Sequence, residues 1–86
     1  MRRPPAQSQP RRLIRWIFQR GNQRLTCRVD QRPGDHAFTL ALVPHSNVGV
    51  GIAETFTSAW SAFRRHAIIA SELRRSGWTL AAYTAD

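Results

Sequence analysis

Residues 15–28 read RWIFQRGNQRLTCR, and the way the two halves of this stretch pair decides the fold. The segment from Leu13 has a period of two, with Ile14, Trp16 and Phe18 on one side and Arg15, Ile17 and Gln19 on the other. Gly21-Asn22 is a two-residue hairpin loop, because glycine supplies a positive φ at the first loop position. Pairing Arg20 with Gln23 sets Phe18 opposite Leu25, Trp16 opposite Cys27 and Ile14 opposite Val29. Every apolar residue of the second strand then meets one of the first, and a slip of one residue destroys that match.

The pattern continues outward from the hairpin. Pro33-Gly34 occupies the centre of a type II turn, and folding back from it sets Val29 opposite Phe38, Cys27 opposite Leu40 and Leu25 opposite Leu42. After Pro44-His45-Ser46-Asn47, the run from Val48 to Ala53 alternates as a fourth strand. Beyond Phe56 the period becomes helical. Thr57 or Ser58 is the N-cap and Gly77 the stop. Ala59, Trp60, Ala62, Phe63, His66, Ala67, Ile69, Ala70 and Leu73 form one broad apolar face, and Ile68 is stranded among arginines on the other. Trp78 to Thr84 is a short final strand or extended tail. The expected fold is α+β, a four-stranded antiparallel meander with one long helix on one face. Residues 1–11, basic and proline-rich, are expected to be a disordered tail, and residues 12–86 a single α+β domain.

The order of four strands and a helix resembles, in topology over residues 13–76, the repeat unit of the Whirly and Pur families. That resemblance implies binding of single-stranded nucleic acid on assembled sheets, and no residue role follows from it. The ending LRRSGWTL resembles small uncharacterised bacterial proteins, which implies no function.

The chain has 86 residues, thirteen arginines and no lysine, against five acidic residues, for a formal net charge of +8. Such a balance favours polyanions, although a GC-rich coding bias toward arginine gives the same composition. A domain this small buries only roughly 60% of the surface its unfolded chain exposes, so a second copy is an expected partner. No apolar stretch suits a signal sequence or a membrane span, and Cys27 stands alone, so the cytoplasm is the expected compartment.

Side-chain parity sorts the candidate residues. Trp16, Phe18 and Phe38 point toward the helix, leaving an outer face of Arg15, Ile17, Gln19, Arg24, Thr26 and Arg28 followed by Ala37, Thr39, Ala41 and Val43. Arg15, Arg20, Arg24 and Arg28 are the candidate nucleic-acid contacts. Arg15 and Arg28 face each other across strands, a costly juxtaposition unless an anion or an acid intervenes. Asp30, diagonal to Arg15, is the structural alternative to a bound phosphate. Ala37, Thr39, Ala41 and Val43 are the candidate homodimer interface. Asp35, His36 and His45 lack the spacing of a metal site, His66 is a core histidine, and Cys27 has no activating partner. The chain is therefore expected to be a non-enzymatic binding protein without metal or cofactor. The alternative is a homodimeric interaction module whose charge reflects coding bias.

Overall fold

The computed structural model describes residues 11–34 and 36–85. Five strands, β1 (Arg11–Arg20), β2 (Gln23–Gln31), β3 (Phe38–Pro44), β4 (Ile52–Phe56) and β5 (Thr79–Ala85), accompany one helix, α1 (Ala59–Arg75), among the described residues. The sheet order is β4-β3-β2-β1-β5 and every pairing is antiparallel. The fold is thus α+β, but the sheet has five strands where four were expected. The C-terminal segment is a full strand against β1. The proposed tail lies outside the described residues up to position 10, and Arg11 already pairs with Gln31.

The first hairpin has the register that alternation requires: Phe18 opposite Leu25, Trp16 opposite Cys27, and Ile14 opposite Val29. Gly21 turns it with φ +61°. Leu13 is an extra residue between the Arg12–Asp30 and Ile14–Val29 pairs. This bulge lets both Leu13 and Ile14 pack on the core side.

The β2–β3 pairing differs from expectation by two residues. Val29 faces Leu40, Cys27 faces Leu42 and Leu25 faces Pro44. The connection is not a two-residue type II turn but a wider loop, closed by the Arg32 amide donating to the Ala37 carbonyl at 2.7 Å and containing Gly34 at φ +88° and His36 at φ +59°. A shift of two preserves parity, so the same side chains still face inward. The expected fourth strand over 48–53 is also corrected. Val48–Val50 is a 3-10 turn capped by the Asn47 side chain, which accepts from the Gly49 amide at 3.2 Å. The strand itself is Ile52–Phe56, with Phe56 opposite Phe38.

Ser58 caps α1, its hydroxyl accepting from the Ser61 amide at 3.2 Å. At the other end Trp78 donates to the Leu73 carbonyl and Gly77, at φ +93°, to that of Arg74, a Schellman closure. Phe18, Leu25, Cys27, Val29 and Leu40 of the sheet meet Ala62, Ile69 and Ala70 of the helix in the core. The apolar helix face is narrower than expected. Trp60 is 73% exposed and Phe63 39%, and Ala67 is exposed as well. One helix packed over β2, β3 and β4 cannot roof a fifth strand beyond β1.

Candidate nucleic-acid interface

The face of the sheet away from α1 carries the candidate arginines. Alternation along β1 and β2 brings Arg15 and Arg28 directly opposite each other, with Gln19 opposite Arg24 and Ile17 opposite Thr26 between them and the hairpin turn. The Nε–H of Arg28 donates to Asp30 Oδ2 at 3.0 Å. The acid thus serves the arginine two residues away on its own strand, rather than Arg15 on its diagonal. The Arg15 guanidinium has no hydrogen-bond or ion-pair partner among the described residues.

Arg20 and Arg12 take opposite sides of the sheet. Arg20 does not join the other three. It follows Phe18 in the inward parity, stacks its guanidinium 4.8 Å from the centre of the Trp78 ring, and donates through Nη1 to the Ser76 carbonyl at 3.1 Å. A cation over an indole and on the last carbonyls of a helix has an ordinary structural explanation. Arg12, which is not among the sequence candidates, lies on the outer face opposite Asp30. Strict alternation would turn it inward with Ile14; the bulge at Leu13 reverses that. The adjacent apolar pair Leu13-Ile14 was the available signal, since two consecutive core residues break a period of two.

The outer face therefore carries Arg12, Arg15 and Arg28 near the carboxylate of Asp30, and Arg24 farther along β2 toward the hairpin turn, among the described residues. Aromatic rings are absent from this face of the described strands. Trp16, Phe18 and Tyr83 lie on the other side, where Trp16 meets His66 at 4.5 Å and Tyr83 at 5.8 Å between ring centres.

At the hairpin end, an open depression of about 490 Å³ is lined by Asn22, Gln23, Arg24, His45 and Ser46. His45 is held over the sheet by two contacts: its amide donates to the Arg24 carbonyl at 2.9 Å, and its Nε2 lies 2.7 Å from the Thr26 hydroxyl. This places an imidazole on the outer face beside Thr26, and both His45 and Arg24 line the depression.

The remaining candidates distribute as follows. Thr39, Ala41 and Val43 occupy β3 on the same face, while Ala37 belongs to the loop before it. Ala41 is only 6% exposed, since it sits in a cross-strand row between Arg28 and Ala53. His66 is buried, with Nε2 3.1 Å from the Cys27 carbonyl. A carbonyl only accepts, so Nε2 carries the proton in the neutral ring. Burial lowers the pKa of His66 from its usual value, against a smaller opposing effect of that hydrogen bond. Burial pushes the Cys27 thiol up to about 12, partly offset by the charge of Arg65, so no thiolate nucleophile forms near neutrality. Of Asp35, His36 and His45, Asp35 lies outside the described residues, and no group of three metal-ligating side chains occurs among those described. No described helix is long and apolar enough to cross a membrane.

Comparison of the chain with known protein families, with characterised proteins and with solved structures finds no match.

Proposed function

We propose that this is a small, non-enzymatic polyanion-binding protein that takes the phosphate backbone of a nucleic acid on the outer face of its sheet. The observation that carries this reading is the direct Arg15–Arg28 pair. Like charges opposite one another on adjacent strands destabilise a sheet, and the nearby carboxylate is already engaged by Arg28. A phosphate between the two guanidiniums converts repulsion into charge-assisted hydrogen bonds. Arg12 and Arg24 extend the strip in both directions along the strands, and His45 and Ser46 add donors at the hairpin end. Without aromatic platforms on this face, bases are not stacked there.

The test is a titration of fluorescent random single- and double-stranded oligonucleotides over a range of salt. Affinity for single strands should fall with salt by a log-log slope of about −0.7 per phosphate contact. Replacing Arg15 and Arg28 together with Gln should reduce the magnitude of that slope by about 0.7, the one phosphate they share. Absence of binding at low salt, or an unchanged slope in the folded double variant, refutes the proposal. Coding bias would then account for the charge.

A further inference from the structure

The half of the sheet that α1 leaves uncovered ends in a strand of unusual composition. β5, Thr79–Ala85, reads TLAAYTA and forms an edge of the sheet, paired on one side with β1 and open on the other. Edge strands normally carry charges, prolines or other features that stop them pairing with another chain. β5 has no charged residue and no proline. Its one irregularity is the bulge where Ile17 faces Ala82 and Phe18 faces Leu80, which leaves Ala82–Ala85 regular. The opposite edge, β4, is guarded. It is five residues long, follows a 3-10 turn, and carries Glu54, tied to Arg65 of α1 at 3.1 Å.

The side chains beside the β5 edge are apolar as well. Tyr83 is 56% exposed and Leu80 43%. Both lie on the helix side of the sheet, opposite Trp16 and Phe18 respectively. Phe63 borders the same opening. On the helical wheel it lies on the flank opposite Arg65, and Arg65 reaches β4, so the Phe63 flank faces β1 and β5.

We propose that the open edge of β5 pairs antiparallel with β5 of a second copy of this chain, about a two-fold axis near Tyr83, joining two sheets into one of ten strands. Charge leaves this edge open to a second copy. Two chains of net charge +8 repel wherever their arginines meet, and β5 is an uncharged edge along which they can approach. An antiparallel strand is also self-complementary, since each free amide and carbonyl meets its counterpart under the two-fold. With the axis at Tyr83, residues 81–85 of each copy pair within the described strand, with Leu80 at its margin. This contact falls at or below the small end of stable interfaces, roughly 1,200 Å² of total buried surface. Dissociation constants of tens of micromolar are therefore expected rather than an obligate dimer.

The two-fold of an antiparallel pair stands perpendicular to the sheet, so both copies present their outer faces to the same side. The two Arg15 side chains are then three strand spacings apart, about 14 Å, and the basic strips become parts of one surface. That consequence rests on the proposed polyanion binding; the dimer itself does not.

Sedimentation of the full chain from about 5 to 200 micromolar tests the pairing. Wild-type protein should pass from monomer to dimer. Tyr83→Lys should weaken association at least tenfold with an unchanged circular dichroism spectrum, while Thr55→Lys on β4 should leave it intact. Oxidative cross-linking tests the geometry within an otherwise native surface, because Cys27 is buried and silent. Tyr83→Cys should form a disulfide-linked dimer readily and Thr55→Cys should not. Monomeric wild type throughout the range, a folded Tyr83→Lys variant that still dimerises, or equal cross-linking at the two sites overturns the proposal. If Tyr83→Lys does not fold, the wild-type sedimentation and the pair of cysteine variants decide it.

Discussion

His66 couples the stability of this fold to pH. Its ring is buried between Trp16 and the Cys27 carbonyl, and burial holds its pKa below the usual value near 6.5. In the unfolded chain the ring takes up a proton as the pH falls through that ordinary value, while the folded chain resists. The unfolded state then binds more protons, and stability declines with falling pH. Above the unfolded pKa both states are neutral and the contribution is flat. Below it, the loss approaches about 1.4 kcal/mol per pH unit until the pH reaches the lowered folded-state value, where it levels off. Against a total stability on the order of 5 kcal/mol for a small domain, one such unit is a substantial fraction. The assay is urea denaturation at fixed ionic strength between about pH 7.5 and pH 5.5, a window above most carboxylate titration. Wild type should lose stability across the window. His66→Gln retains an amide donor for the Cys27 carbonyl and should lose most of the slope, although its absolute stability will be lower. His36 and His45 remain in the variant, so the difference in slope belongs to His66. A wild-type stability that is flat or rises on acidification, or an identical slope in the variant, refutes the reasoning.

Cys27 should resist thiol reagents in the native protein at mildly alkaline pH and react only as fast as the chain unfolds, as measured by labelling across a urea series. Rapid modification would mean that β2 opens locally. Gly77→Ala should cost about 1–2 kcal/mol through the left-handed backbone at φ +93°, although the nearest atom to the new methyl group is an ordinary 3.6 Å away; thermal denaturation reads this. Arg20→Gln should lower stability by about 0.5–1 kcal/mol through loss of the Trp78 and Ser76 contacts. It should also leave the salt slope of oligonucleotide binding unchanged, in contrast to Arg15→Gln with Arg28→Gln.

The sequence is most legible where side-chain pattern and backbone geometry coincide. In the β1–β2 hairpin, alternating apolar residues and Gly21-Asn22 specify the same register, so both strand pairing and the inward set follow. The β3 register escapes the same treatment because Pro33-Gly34 suits a tight turn, whereas the chain closes its loop at Arg32 and Ala37. The error of two residues is invisible to hydrophobicity, since it exchanges one inward residue for another. VGVGI carries a strand-like alternation, but Asn47 caps a 3-10 turn there and β4 begins only at Ile52. β5 is legible only as a short final strand or extended tail, for a different reason. Its inward residues Leu80 and Tyr83 are three apart, with the bulge at Ala81 between them, so neither the period of a regular strand nor that of a full helix shows in TLAAYTA.

The same kind of irregularity shapes the candidate site. Arg12 and Arg15 are three apart, a separation that places two residues on opposite faces of a regular strand. The extra residue at Leu13 brings them to one face, with Arg12 opposite Asp30 and Arg15 opposite Arg28. The bulge has a core cause, because it lets both Leu13 and Ile14 pack inward, and an electrostatic result on the far side of the sheet. Arg28 draws Asp30 to itself while Arg12 lies across from the same carboxylate, so one acid stands among several cations. Packing beneath α1 thus fixes the arrangement of charge on the opposite face, and a variant that removes the Leu13 bulge should disturb the basic strip without touching an arginine.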